Sequence, residues 1–224
     1  MELTAAASWL NSFFAGYDLA ILSLMHRLAV SLGFILTPLT KLITLVGEKG
    51  VMFFLAAVIL MLYPKTRKIG VCMFGAVACG ALITNIVLKD MVARPRPFES
   101  YDLYSNFWVF IGSPAEDGFS FPSGHVTAAA AGMVSLCLSR GKKWLTPSVV
   151  WILLMAFSRN YLMAHYPSDV LFAAIIGTAS AFIAWGITKL IFYFLEKYDN
   201  VFLCAFCLDF DIRELRNALY KGKH

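Results

Sequence analysis

No charged side chain interrupts the stretch IGVCMFGAVACGALITNIVL, which runs from Ile69 to Leu88 and is followed directly by Lys89. An α-helix rises about 1.5 Å per residue, so a helix of this length covers the roughly 30 Å hydrocarbon core of a lipid bilayer. Small residues within it, among them Gly75 and Gly80, allow a neighbouring helix to approach closely. The stretch therefore predicts a membrane-spanning helix that packs against other helices.

The composition of the whole chain indicates the same class of protein. Of its 224 residues, 59% are hydrophobic and 15% are charged, whereas soluble domains carry about 25% charged residues. The mean hydropathy is +0.71. Further apolar stretches cover residues 29–46, 51–63, 126–138, 149–163 and 170–190. We therefore expect an all-α, polytopic membrane bundle of about six transmembrane helices, with about five as the alternative.

The pattern divides the chain into a membrane domain and a tail. We expect residues 1–195 to form the membrane domain, in which residues 1–16 make an amphipathic interfacial helix. The transmembrane bundle covers residues 29–195, and its first span is kinked by Pro38. Residues 196–224 are too polar to span and predict a cytoplasmic tail, where Cys204 and Cys207 form an isolated C-x-x-C pair. A single pair does not indicate a metal or redox site.

The distribution of charge predicts the orientation in the membrane. The net charge of +5 is spread over short clusters between apolar runs, which indicates membrane topology and argues against a nucleic-acid partner. If both termini are cytoplasmic, the clusters at 65–68, at 140–143 and beyond Lys189 place more than half of the 19 Lys and Arg residues inside, as the positive-inside rule requires. We expect a multi-pass membrane protein, and the compact form of the chain suggests a bacterial plasma membrane. The positive-inside rule does not account for the basic residues that this orientation places on the outer side of the membrane, so they need another explanation.

Three polar clusters occupy the predicted outer ends of helices, so we expect a site at the outer membrane–water interface. They read KDMVARPRP over residues 89–97, FPSGH over 121–125 and SRNYLMAHYPSD over 158–169. Lys89, Arg96 and Arg159 supply cations, while Ser123 and Gly124 lie at a helix N-terminus, where free N–H groups favour an anion. Phosphoryl transfer requires such groups because negative charge is spread over the oxygens of the transferred group.

Two histidines in these clusters match the two remaining tasks of such a reaction. One group must attack phosphorus and another must protonate the leaving oxygen. Asp169 follows His165 by one helical turn, where a carboxylate can orient an imidazole. His125 has no carboxylate nearby in sequence. The spacing favours His165 as the nucleophile and His125 as the proton donor without establishing this division of roles.

The three clusters together resemble the type 2 phosphatidic acid phosphatase superfamily. The matching patterns are Lys-x6-Arg-Pro at residues 89–97, Pro-Ser-Gly-His at 122–125 and Ser-Arg-x5-His-x3-Asp at 158–169. The resemblance implies a phosphohistidine on His165, with His125 as general acid and Asp169 as the partner of His165. It also implies that no metal ion and no cofactor take part. The phosphate-binding residues implied are Lys89, Arg96, Ser123, Gly124 and Arg159.

The same resemblance implies a lipid phosphatase that hydrolyses a lipid phosphate or pyrophosphate, most simply undecaprenyl pyrophosphate to undecaprenyl phosphate. Phosphatidylglycerol phosphate and phosphatidic acid are alternative substrates, and a lipid phosphotransferase is an alternative enzyme. A transporter of anionic lipids would explain the basic residues but not the register of His165 with Asp169. The pattern does not indicate an oligomeric state. Arg94 is an additional Arg-Pro that we expect to hold its loop, and the aromatic-rich loop over residues 98–121 is expected to select the substrate.

Overall fold

The computed structural model describes residues 3–214, so residues 215–224 of the predicted tail lie outside the described residues. The described chain is helical and contains no β-strand, which confirms the all-α prediction. The helices are α1 (Ala5–Phe13), α2 (Ala15–Val46), α3 (Val51–Met61), α4 (Arg67–Ala81), α5 (Lys89–Val92), α6 (Pro97–Ser100), α7 (Asp102–Phe110), α8 (Gly124–Arg140), α9 (Leu145–Tyr161), α10 (Pro167–Lys197) and α11 (Phe202–Asp209).

The bundle is built around α8. Helix α10 packs against α8 and α4, α4 packs against α8 and α3, and α9 packs between α8 and α2. The facing surfaces consist largely of small side chains, including the fully buried Ala130 and Ala131. At Gly177 of α10, an added Cβ would lie 2.3 Å from the backbone oxygen of Thr127 in α8. The small residues therefore set the distance between the two central helices.

The outer faces of the bundle are apolar, as contact with lipid requires. Phe34 is 79% exposed, Leu153 61% and Ile187 53%. The helical segments Ala15–Val46, Arg67–Ser100 and Pro167–Lys197 are long and apolar enough to cross a membrane, judged by length and composition alone. Helices α3, α8 and α9 are shorter. Each apolar stretch of the sequence lies mostly in a helix, and the number that cross the bilayer stays a prediction.

The N-terminal region differs from the sequence-based expectation. Helix α2 begins at Ala15, well before the expected start at residue 29, and follows α1 after a single residue. Asp18, in the first turn of α2, is buried and paired with Arg94. The helix is broken at Leu32 (φ −129°, ψ 16°), six residues before Pro38, whereas a proline ring clashes with the carbonyl group four residues before it. The kink expected at Pro38 therefore lies earlier in the helix.

Two connecting segments are more ordered than the sequence indicated. The loop over residues 98–121 contains α6 and α7, and Trp108 stacks on Phe98 with ring centroids 4.5 Å apart. At the opposite end of the bundle, the guanidinium of Arg67 donates to the backbone oxygens of Cys207 (2.9 Å) and Leu208 (2.6 Å). The first part of the predicted tail is therefore docked on the bundle through α11.

The close approach of α8 and α10 predicts that Gly177→Ala lowers the free energy of unfolding by about 1–3 kcal/mol, because the new methyl group meets backbone that cannot move aside. The apparent Tm in detergent measures this change. Gly186→Ala in the same helix is the control, since no atom lies within 4 Å of the added Cβ. Equal Tm values for the two variants would contradict the packing argument.

Candidate active site

A cavity of about 310 Å³ lies at the end of the bundle where α8 and α10 begin. Two chain features position its walls: a π-helix over Leu82–Leu88 leads into Lys89, and the loop after α7 contributes lining residues. The predicted site residues that line it are Lys89, Arg96, Gly124, His125 and His165, together with Asn85, Glu116, Asp117 and Gly118. The structure therefore brings all three sequence clusters to one cavity.

A larger cavity of about 680 Å³ lies beside α1 and shares Gly118 with the first. The described residues that line it include Asn11, Glu99 and Tyr101 and none of the predicted site residues. We therefore take the smaller cavity as the candidate active site on the basis of its chemistry. The side of the membrane on which it opens stays a prediction.

His165 lies in the turn between α9 and α10 and is 2% exposed. This turn reverses the chain through Met163 at φ 54°, so that α9 and α10 face each other at the cavity. The Nδ1 atom of His165 donates to the backbone oxygen of Ser120 at 2.6 Å. A carbonyl oxygen only accepts hydrogen bonds, so Nδ1 carries the proton and the neutral ring keeps its lone pair on Nε2.

The surroundings of His165 favour the neutral imidazole. Burial lowers the pKa of His165 well below its usual value of 6.5, and the nearby charges of Arg96 and Arg159 lower that pKa further. The hydrogen bond to Ser120 opposes this shift and is the smaller effect. His165 is therefore uncharged at neutral pH, which is the form in which an imidazole acts as a nucleophile.

Asp169 does not contact His165 in the way that the sequence indicated. Its Oδ2 atom lies 4.0 Å from Nδ1 of His165 and accepts hydrogen bonds from Ser120 Oγ at 2.5 Å and Tyr166 N at 3.0 Å. The expected direct pairing assumed that the chain is helical from residue 165, but α10 begins only at Pro167. Asp169 instead holds Ser120, whose own carbonyl orients the imidazole.

Glu116 joins two of the predicted phosphate-binding residues. Its Oε2 lies 3.2 Å from Nη1 of Arg96, and its Oε1 accepts a hydrogen bond from Nη2 of Arg159. Arg96 also donates to the backbone oxygens of Asp117 (2.6 Å) and Gly118 (2.9 Å). An anionic group is thus already held between two guanidinium groups, which is the arrangement that a phosphoryl group requires.

The start of α8 contributes further donors. Ser123 and Arg159 are fully buried, and among the described residues no partner is found for Ser123 Oγ or Arg159 Nε. Gly124 begins α8 beside Asn85, whose Oδ1 would lie 3.4 Å from an added Cβ. Buried polar groups are normally hydrogen-bonded, so these two orphaned groups fit a ligand that accepts hydrogen bonds at the helix N-terminus.

His125, in the first turn of α8, lines the cavity with 8% of its surface exposed. Its Nε2 atom lies 3.4 Å from Oε2 of Glu48, which follows α2. The sequence spacing showed no carboxylate near His125, because Glu48 is far away along the chain. A ring nitrogen beside a carboxylate and facing a cavity is placed to donate or accept a proton.

Arg94 lies outside the cavity wall, in agreement with the expectation that it holds the loop. It is 1% exposed, and its guanidinium donates to Asn11, Asp18, Ser168 and Asp169. Sequence reasoning missed Asp18, Glu48, Glu116 and Ser120. Only Asp18 and Glu48 carried any signal, as charges in or next to apolar stretches.

Comparison with known proteins places this site in a family. The PAP2 superfamily pattern matches residues 69–193. A crystal structure titled as the first transmembrane PAP2 type phosphatidylglycerolphosphate phosphatase from Bacillus subtilis has the same fold, with a TM-score of 0.62 over 83% of this chain and 91% of that one, at 23% identity.

Two curated relatives carry names of lipid phosphatases. Undecaprenyl-diphosphatase of Sulfolobus acidocaldarius is 27% identical over 56% of this chain and 58% of its own length. Phosphatidylglycerophosphatase B of Haemophilus influenzae is 29% identical over 66% of this chain and 74% of its own length. The match to the first thus spans less than two thirds of that relative. The family pattern, however, extends over more than half of this chain, and the chain therefore belongs to the PAP2 superfamily, as its three motifs implied.

Proposed function

We propose that the protein is a membrane lipid phosphatase that cleaves a lipid phosphate or pyrophosphate through a phosphohistidine on His165. The observation that carries the proposal is the hydrogen bond of 2.6 Å from His165 Nδ1 to the Ser120 carbonyl. This bond leaves the lone pair of Nε2 for attack, in a cavity that Lys89 and Arg96 also line. A transporter of anionic lipids would not need a neutral, oriented imidazole beside its cations.

The proposed reaction has two steps. In the first, Nε2 of His165 attacks phosphorus, the bond from phosphorus to the leaving oxygen breaks, and His125 gives that oxygen a proton. In the second, His125 accepts a proton from water, the water oxygen attacks phosphorus, and the bond to Nε2 breaks to release phosphate.

Throughout both steps, the charge on the transferred group is stabilised by cations and by the N–H groups at the start of α8. The cations are Lys89, Arg96 and Arg159. Ser123 Oγ and the backbone of Gly124 complete the proposed set of phosphate ligands.

Undecaprenyl pyrophosphate is the substrate that we propose, and phosphatidylglycerol phosphate is the alternative. The name of the Sulfolobus relative supports the first and the name of the Haemophilus relative supports the second. Both are lipid phosphates whose head groups reach the membrane surface. We further propose that residues 1–195 form the membrane domain of a bacterial plasma-membrane protein, with the site facing outward and residues 196–224 as a cytoplasmic tail.

Purified protein in detergent with EDTA should release phosphate from undecaprenyl pyrophosphate, phosphatidylglycerol phosphate or phosphatidic acid, and the ranking of rates identifies the substrate. His165→Ala should lower kcat on the order of 10³-fold or more, because the nucleophile is lost. His26→Ala is the matched control, since His26 stacks on Phe107 away from the cavity.

Loss of activity in EDTA that magnesium restores would contradict the histidine mechanism. If the substrate carries radioactive phosphate, label that appears on another lipid instead of in solution would favour the phosphotransferase. Phosphate release that survives in His165→Ala would show that another group attacks phosphorus.

The environment of His165 predicts the acid side of the pH profile. Attack requires the neutral ring, and the pKa of His165 is lowered from 6.5 by burial and by Arg96 and Arg159. The rate therefore falls only as the pH drops through this lowered pKa, so the acid limb of kcat/KM lies below pH 6.5. The measurement is the pH profile of kcat/KM, corrected for the ionisation of the substrate itself. An acid limb at or above pH 6.5 argues against a buried His165 as the attacking group.

Glu116 is expected to compete with anions for the two guanidinium groups. Glu116→Gln keeps the shape of the side chain but removes a negative charge beside the bound oxyanion, so the inhibition constant for vanadate should fall about tenfold. Glu116→Asp keeps the charge and serves as the control. A lower inhibition constant in both variants, or in neither, would contradict the electrostatic explanation.

A further inference from the structure

Residues that precede the family match at 69–193 contact polar groups that lie next to His165. Asn11 in α1 accepts a hydrogen bond from Arg94 Nε at 2.8 Å, and Asp18 in α2 accepts one from Arg94 Nη2 at 3.0 Å. Thr4, which caps α1, donates to the backbone oxygen of Val92 at 2.5 Å. The N-terminal helices are therefore attached to the segment that carries Arg94.

Asp18 also contacts the start of α10. Its Oδ1 accepts a hydrogen bond from the backbone N of Ser168 at 2.8 Å, and its Oδ2 accepts one from Ser168 Oγ at 2.8 Å. Ser168 is the second residue of α10, so its N–H has no partner within the helix. Asp18 thus caps a helix that is 150 residues away in the sequence. A negative charge at this end is also favoured by the helix dipole.

Arg94 connects this cap to the groups that hold His165. Its Nη1 donates to Asp169 Oδ1 at 2.6 Å, and its backbone oxygen accepts a hydrogen bond from Ser120 N at 2.7 Å. Its guanidinium lies over the ring of Tyr166, 3.8 Å from the centroid. Arg94 therefore restrains both Ser120, whose carbonyl binds Nδ1 of His165, and Tyr166, the next residue along the chain.

We propose that Asp18 and Arg94 are positioning residues of the phosphatase reaction, which hold Asp169 and Ser120 so that Nε2 of His165 faces phosphorus. The inference rests on the proposed function of His165. It assigns a role in catalysis to a part of the chain that lies outside the family match, because Asp18 is contributed by α2.

The charges of this network predict a distinctive effect on pH dependence. Burial raises the pKa of Asp169, and the charge of Arg94 and the hydrogen bonds from Ser120, Arg94 and Tyr166 oppose this shift. With Asp18 and Asp169 ionised and Arg94 positive, the network is negative overall and lies 4.0 Å from His165 Nδ1 at its closest point. The other charged or titratable groups around His165 are Lys89, Arg96, Glu116, Asp117, His125, Arg159 and Tyr166, and none of them changes in the variants below.

Asp18→Asn removes one negative charge, so protonated His165 becomes less stable and the acid limb of kcat/KM moves to lower pH. Arg94→Gln removes the positive charge, so the limb moves to higher pH. Each shift should be about half a pH unit or more. The double variant has the same net charge as the native network, so its limb should return to the native position while kcat stays low. A purely structural role predicts no such opposite shifts.

Each single variant should lower kcat about 10- to 100-fold with KM changed less than about threefold, because the proposed phosphate ligands remain. Asp209→Asn, at an exposed aspartate at the end of α11 and outside the cavity, is the control and should change neither value. Vanadate binding shows that each variant retains the site.

The outcomes separate the two proposals. If the native protein releases no phosphate from any lipid, the proposed function fails. If it is active but Asp18→Asn and Arg94→Gln leave both kcat and the acid limb unchanged, or shift the limb in the same direction, the positioning role is overturned.

Ser168→Ala removes one hydroxyl and no charge, and it tests the positioning role even if a charge variant does not fold. A loss of kcat at constant KM supports the role, and an unchanged kcat overturns it.

Discussion

Arg94 is buried at the point where the N-terminal helices, the segment before α6 and the start of α10 meet. A guanidinium stays charged in proteins, so its burial requires carboxylates and further acceptors around all its N–H groups. Asp18 and Asp169 provide the two carboxylates, one from each side. Because removing one partner of a buried ion pair costs about 3–5 kcal/mol, the elements that supply these groups are held in one arrangement, and this is the basis of the positioning role proposed for Asp18 and Arg94.

The helix packing determines where the reactive groups converge. Small residues bring α8 and α10 into backbone contact near Gly177 and Thr127, and both helices begin at the same end of the bundle. Their N-termini therefore face one cavity, with His125 in the first turn of α8 and His165 just before α10. The close approach of two apolar helices thus brings polar groups together at their ends, in an arrangement suited to bind an anion.

The cavity combines several positive groups, and Glu116 balances part of that charge. Arg96 and Arg159 would repel each other at this distance without an anion between them. The Glu116 carboxylate provides that anion from the loop after α7. Burial and the same positive surroundings favour neutral His165, which is the form that the proposed attack on phosphorus requires.

The sequence by itself determined the helical membrane class, the approximate helices and the set of reactive side chains, because hydropathy and motif spacing are local properties. It did not reveal that Ser120 orients His165, that Glu116 bridges two arginines, or that α2 begins at Ala15. These features depend on contacts between residues far apart in the chain, such as Asp18 with Ser168, and a backbone carbonyl has no signature in the sequence. Only the tertiary structure decided them, since folding buries charged groups that are distant in the sequence next to each other, where they pair.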